Sequence, residues 1–168
     1  IEVYEYVCRY LAYTGNMIVV APDYHLAPEY KFPAGLNEAY ETLVWTKNNI
    51  GLYYGDEGNI SVAGDSSGGN FAAAVSIMAR DQEGPKIRKQ ITDSEQHYQV
   101  GYFLNYNCMN NPMAHYFENE EDVKNSLASP LLEDNLKGLP PACFISAECD
   151  PLLDQGLQYA AKLQDAGV

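Results

Sequence analysis

The sequence predicts a doubly wound α/β domain on a mostly parallel sheet, and three observations carry that reading. Short apolar runs of strand type (residues 17–22, 60–63 and 142–147) alternate with stretches of helical periodicity. The first run, Met17-Ile18-Val19-Val20-Ala21-Pro22, has almost no polar alternation, as in a strand buried on both faces of a parallel sheet. The chain of 168 residues is long enough for one domain with its own core and too short for two of ordinary size. Residues 1–168 therefore read as a single domain. It reads as incomplete at both ends, because it opens on Ile1 rather than Met and stops at Gly167-Val168 directly behind a helix.

Val3, Tyr6, Val7, Tyr10 and Leu11 fall at helical spacing, and Thr14-Gly15-Asn16 supplies the stop. Pro22 ends the strand that follows, and residues 23–33 form a proline-punctuated loop. Leu36, Ala39, Tyr40, Leu43 and Val44 give a second helix, with Trp45 beside the stripe. Residues 51–58 are a turn before the strand at Ile60, Val62 and Ala63, and residues 71–80 are a third, Ala-rich helix.

Regularity then fades. Residues 81–99 hold only Ile87, Ile91 and Tyr98 as larger apolar groups, so residues 86–91 are at best a weak strand. Residues 100–117 are rich in aromatics and suit a helix over a pocket, with Pro112 as a kink or break. Residues 118–122 are an acidic, solvated segment. A cap or irregular insertion is expected over about 93–123. Turns follow around Pro130 and at 138–141, then a buried strand at 142–147. A last helix carries Leu153, Leu157, Ala160, Ala161 and Leu163, with Gly167 as its C-cap.

The turn between the strand at residue 60 and the third helix reads Gly64-Asp65-Ser66-Ser67-Gly68, which fits G-x-S-x-G. In that pattern a serine occupies a strained turn from strand to helix, and small neighbours let the backbones pass closely. Ser66 is expected exposed at the tip. The helix behind it aims free N–H groups and a positive dipole end at any anion forming beside the hydroxyl. The same residues are superficially similar to the Gly-Asp-Ser-Gly-Gly of chymotrypsin-like proteases, but those are all-β barrels, whereas this serine opens a helix.

Composition narrows the partners. With 23 acidic against 10 basic residues the net charge is -13, which repels phosphate backbones and anionic lipid surfaces, so nucleic acid is not expected as a partner. No apolar run approaches the roughly 18 residues needed to span a bilayer. Cys8, Cys108, Cys143 and Cys149 lack metal-ligand spacing and are expected as free thiols, two of them in or beside a buried strand. That fits a reducing compartment such as the cytoplasm. No cofactor or metal is implied, and oligomeric state is not legible.

A serine hydroxyl needs a base to take its proton. His25, His97 and His115 all precede Asp150, and each reads as a loop or surface residue. On its own Asp150 reads as the cap of the helix beginning near Pro151.

Four blocks taken together resemble the hormone-sensitive-lipase-like branch of the α/β hydrolases, near the arylacetamide deacetylases and bacterial carboxylesterases. They are Asp23-Tyr24-His25-Leu26-Ala27-Pro28-Glu29 with Phe32-Pro33-Ala34, residues 62–70 around Ser66, Ala128-Ser129-Pro130-Leu131-Leu132, and Ala147-Glu148-Cys149-Asp150-Pro151-Leu152-Leu153-Asp154. The resemblance implies a serine esterase for small or medium acyl esters. Ser66 is then the nucleophile, Asp150 the triad acid and the Ser67 N–H an oxyanion donor.

The departures shape the expectation. The family's His-Gly-Gly-Gly loop and catalytic His are not in these residues, so the His of a Ser-Asp-His triad is expected outside the chain, and the chain alone is expected to be nearly inert. His25 stands where the family usually has arginine. A strand expected near Ile91 looks deleted, which would leave a gap or pull Asp150 inward by one strand width, about 4.8 Å. The alternatives are an inactive ligand-binding member of the same fold, as in plant gibberellin receptors, or a non-functional truncated product.

Overall fold

The computed structural model describes residues 4–94, 115–147 and 153–168. Its centre is a parallel sheet in the order β1 (Ile60–Asp65), β2 (Ile87–Ser94), β3 (Ala142–Ser146). Strand β1 lies on β2 from Ile60 opposite Ile87 to Asp65 opposite Asp93, with a bulge between Ile60 and Val62. Strand β2 lies on β3 from Gln90 opposite Ala142 to Ser94 opposite Ser146. The register brings the carboxyl ends of all three strands to one edge.

Strand β2 corrects two sequence expectations. The segment read as weak is a strand of 8 residues, and it occupies the place between β1 and β3 where a strand looked deleted. There is no gap, and nothing is drawn inward. Its apolar content misleads because Gln90, not a hydrophobe, fills a fully buried position. The side-chain Nε2 of Gln90 donates to the Pro140 carbonyl at 3.0 Å, and its backbone N–H donates to the Pro141 carbonyl. Pairing on both edges outweighs the weak propensity of Arg88-Lys89-Gln90.

The first apolar run goes the other way. Residues 17–22 are not a strand, and Met17, Ile18 and Val20 are exposed. A strand is defined by its ladder, and among the described residues no segment pairs with this run. Its composition predicted burial on two faces; the composition alone does not supply neighbours.

Four helices are defined among the described residues: α1 (Glu5–Gly15), α2 (Ala34–Asn49), α3 (Ser67–Asp81) and α4 (Leu153–Asp165). Helix α1 stops where expected, at a left-handed Asn16 whose N–H reaches the Ala12 carbonyl. None of its residues is buried, so its apolar stripe lies open. Helix α2 buries Leu36 and Leu43 as predicted. Helix α4 buries Tyr159 and Leu163, but Leu157, expected on the same face, is exposed. Gly167, at φ +83°, follows the helix as its cap, and the Val168 N–H returns to the Leu163 carbonyl.

Helix α3 is buried without interruption from Ala72 to Ala79. Its small side chains let it serve two cores at once. Ala74, Val75, Met78 and Ala79 pack with Leu36, Leu43, Ile60 and Ile87, while Ala73 and Ile77 pack with Leu136, Leu139, Tyr159 and Leu163. At its far end Arg80 donates to the Asn135 carbonyl and pairs with Asp81 and Glu133, which ties down the loop that feeds β3. The helix that begins at the elbow is thus fixed along its whole length.

Of the expected insertion over 93–123, its first two residues belong to β2 and Glu120–Lys124 is a 3-10 turn. Residues 95–114, with Pro112 and most of the aromatic stretch, lie outside the described residues. Tyr116 and Phe117 rest on Phe32 at ring distances of 5.9 and 5.8 Å. Cys8 and Cys143 are free thiols, whereas Cys108 and Cys149 lie outside the described residues. Cys143, predicted on a buried strand, is exposed because β3 is an edge strand with one face uncovered among the described residues.

Candidate active site

The chain reverses direction in a single residue. The sequence suggested a turn of seven, but β1 runs to Asp65 and α3 opens at Ser67, leaving Ser66 alone between them. Ser66 takes φ 52° and ψ −119°, a conformation of non-glycine residues that costs roughly 1–3 kcal/mol and persists only where the surroundings enforce it. Those surroundings are glycines. A β-carbon on Gly64 would collide with the backbone of Gly68, so strand and helix approach closely enough to force the bend.

The same geometry exposes Ser66 and Ser67 at the carboxyl edge of the sheet. The Ser66 carbonyl accepts from the N–H groups of Gly69 and Asn70 at 3.0 and 3.3 Å, which closes the first turn of α3. The Ser66 side chain makes no capping bond, so its hydroxyl is not spent on the helix. Ser67, as first residue of α3, contributes one of the N–H groups that have no carbonyl a turn earlier. Deeper in the helix, Asn70 Nδ2 donates to the Ala128 carbonyl at 3.1 Å and anchors the second turn.

Asp150 lies outside the described residues, which break off at Ala147 and resume at Leu153; so does His97. His115 is exposed. His25 sits on the loop between residues 23 and 33, its Nδ1 2.6 Å from Glu38 Oε1 and its backbone N–H donating to Glu38 Oε2 at 2.7 Å. These two bonds, the backbone one first, hold the Glu38 carboxyl below the usual carboxylate range. His25 is thereby engaged as a loop fastener, in keeping with the surface role expected of it.

Two contacts around the elbow escaped sequence reasoning. The Tyr4 hydroxyl donates to Asp65 Oδ2 at 2.8 Å across 61 residues of sequence. Tyr24 packs on Phe71 of α3 at 5.1 Å, and burial, followed by the charge of Asp65, raises its phenol pKa. No periodicity marks a tyrosine that reaches a residue in another element; the Asp-Tyr pair at 23–24 was visible only as part of a motif.

A hollow of about 350 Å³ lies between residues 22–25 and α2, walled by Asp23, Glu38, Glu41 and Trp45 among others, and does not include Ser66. Among the described residues no cluster of three or more His, Cys, Asp or Glu has the arrangement of a metal site. Among those residues, too, no helix is long and apolar enough to cross a membrane.

Comparison with known proteins places this geometry. A family model described as the alpha/beta hydrolase fold matches residues 1–168. The chain is 37% identical over 180 residues to an arylesterase of Saccharolobus solfataricus, a match covering 100% of the chain and 58% of the relative. It is 33% identical over 182 residues to the carboxylesterase NlhH of Mycobacterium tuberculosis, covering 100% of the chain and 57% of the relative. Among solved structures, an esterase of Pyrobaculum calidifontis superposes with a TM-score of 0.94 at 38% identity, covering 99% of this chain and 59% of that one. The chain spans less than two thirds of the length of each of these proteins. Matched along all of its residues, and following the backbone of a solved esterase almost throughout, the chain belongs to the α/β-hydrolase family.

Proposed function

We propose that the protein is a serine carboxylesterase for small or medium acyl esters, with Ser66 as nucleophile, the Ser67 N–H as an oxyanion donor and Asp150 as the triad acid. The observation that carries this is Ser66 itself. It is exposed, unspent on capping, and set by a strained one-residue turn at the head of a buried helix. The named relatives add support, being an arylesterase and a carboxylesterase.

In the proposed reaction Ser66 Oγ attacks the ester carbonyl carbon while an imidazole takes the hydroxyl proton. The negative charge that develops on the carbonyl oxygen meets the Ser67 N–H and the dipole end of α3. The tetrahedral adduct collapses with loss of the alcohol, which receives the proton from the imidazole, and water then releases the acid from the acyl-serine by the same steps. The imidazole comes from outside these residues. Asp150 follows β3 in sequence, and β3 ends two strand positions from β1 on the same edge, roughly 10 Å away at 4.8 Å per strand. A carboxylate there would reach the elbow through an interposed imidazole.

The test is turnover of p-nitrophenyl esters of graded acyl length by the protein together with the histidine-bearing residues outside this chain, beside the Ser66→Ala variant of the same protein. Loss of the nucleophile is expected to lower kcat by up to about 10⁶-fold, as in serine proteases. Equal rates for the two proteins would refute Ser66 as nucleophile. A preference for long acyl chains over acetyl and butyryl esters would refute the substrate class.

A further inference from the structure

We propose that Lys162 is a positioning residue for ester hydrolysis, holding helix α4, and Asp150 with it, in register with Ser66 through a strap formed by residues 128–133. This rests on the reading of Ser66 as nucleophile and Asp150 as triad acid.

The strap lies between α3 and α4. Leu131 packs into the core that Ala73 and Ile77 of α3 share with Tyr159 and Leu163 of α4. Its shape is set locally: the Leu132 N–H donates to the Ser129 carbonyl at 2.8 Å, the Glu133 N–H to the Pro130 carbonyl at 3.1 Å, and Ser129 Oγ to the Val123 carbonyl at 2.8 Å. Other carbonyls of the strap take bonds from the two helices. On the α3 side, Ala128 accepts from Asn70 Nδ2 at 3.1 Å, and the Glu133 carboxylate stands 3.6 Å from Arg80. The backbone N–H of Asn70 donates in turn to the Ser66 carbonyl, so one residue joins strap and nucleophile.

On the α4 side a single half-buried side chain makes the polar link. Lys162 Nζ donates to the Leu131 and Glu133 carbonyls, at 2.8 Å each. Bonds from an ammonium are charge-assisted, and hydrogen bonds have preferred angles. Helix α4 depends on that direction. Its two buried residues, Tyr159 and Leu163, both lie in its second half, and apolar burial is non-directional, so it opposes separation of the helix more than sliding or turning. The helix begins at Leu153, three residues beyond Asp150 in sequence, and a slip of α4 is passed to that carboxylate. Misplacement by about 1 Å lowers rates by roughly a hundredfold.

The test uses the protein with its histidine-bearing residues, assayed on p-nitrophenyl acetate. Lys162→Met keeps most of the stem and removes the ammonium. The expected result is a fall of about tenfold in kcat per folded molecule, with KM within about twofold. The acidic limb of the kcat/KM profile is expected to move to lower pH, because a displaced carboxylate favours the imidazolium less; loss of a positive charge by itself would move it the other way. Lys162→Gln, a milder loss that keeps a neutral donor, is expected to show the same changes at about threefold, and Lys162→Arg to stay within about twofold of the parent.

In an Asp150→Asn background, where no carboxylate remains to be placed, adding Lys162→Met is expected to change kcat by less than about twofold. A merely structural contact would lower the melting temperature but leave kcat per folded molecule and the pH limb where they were. The proposal is overturned if Lys162→Met and Lys162→Gln leave kcat per folded molecule unchanged, or if the loss is as large with Asn at position 150. Ser66→Ala and Asp150→Asn run in parallel separate the readings: if either matches the parent rate, the site assignment fails and the role of Lys162 falls with it; if both are impaired, the cycle judges Lys162 alone.

Discussion

Gly64 lies so close to Gly68 that a single added β-carbon would occupy the space of the Gly68 carbonyl carbon and oxygen. This contact joins the last turn of β1 to the first turn of α3 and is what makes a one-residue bend at Ser66 sterically available. The obstacle is backbone, which cannot rotate aside as the end of a flexible side chain would.

Gly64→Ala should therefore act on both fold and site. Overpacking of this kind costs about 1–3 kcal/mol, and the relief available is a shift of α3 relative to β1, which moves Ser66. Urea denaturation should show a lower midpoint, and ester turnover should fall by more than the loss of folded protein accounts for, since displacement of about 1 Å at a nucleophile lowers rates by roughly a hundredfold. Gly68→Ala is the control. A β-carbon there meets nothing nearer than Asp65 Oδ1 at 3.9 Å, and it should be tolerated.

The elbow was legible because its chemistry is local. Gly64, Ser66 and Gly68 lie within a span of five residues, and strand before with helix after follows from Ile60, Val62 and the Ala-rich run. What the sequence misjudged is non-local. Met17 to Pro22 has strand composition without a described partner, and β2 has partners without strand composition, Gln90 Nε2 donating to the Pro140 carbonyl from a loop 50 residues away while its Oε1 has no partner among the described residues. Sheet membership depends on neighbours that a window of sequence does not contain. The length of the turn was misjudged for a related reason: Gly68 and Gly69 suggest loop by propensity, but the close approach of β1 places them inside α3. Tyr4 on Asp65 was out of reach altogether, since nothing in the order of residues joins positions 61 apart.

The His25 and Glu38 contact makes a prediction about acid. Glu38 takes two hydrogen bonds from His25, and its carboxyl titrates below its ordinary 4.5, so the folded protein holds the ionised form more firmly than the unfolded chain does. The stabilisation is fully present above pH 4.5 and disappears as pH falls through the lower folded value. Glu38→Gln should lose stability relative to the parent at neutral pH and converge on it as pH falls through the lowered folded value. His25→Ala should raise the Glu38 titration midpoint, followed by NMR, only part of the way to 4.5, because the backbone N–H of residue 25 is the larger contributor and survives the substitution.

At the alkaline end the critical group is Tyr159. Its ring is 5% exposed in the second core, edge-on to Phe144 at 6.0 Å, and its hydroxyl has no hydrogen-bond partner among the described residues. Burial pushes its pKa from 10.0 up to about 12, with Arg80 acting the other way and Glu133 adding to the rise. The folded protein thus keeps this proton after the unfolded chain has lost it. Stability is unaffected below pH 10 and declines between 10 and about 12, by at most about 1.4 kcal/mol per pH unit from this residue. Tyr116, also raised to about 12 by burial, adds to the same limb. Tyr159→Phe removes a buried hydroxyl that satisfies nothing, so at pH 7 it should leave stability equal or raise it by up to about 1 kcal/mol. Its denaturation midpoint should then fall less steeply than the parent's from pH 10 to 12. A midpoint lowered at pH 7 would show that the hydroxyl has a partner, and parallel alkaline limbs would show that Tyr159 does not carry the titration.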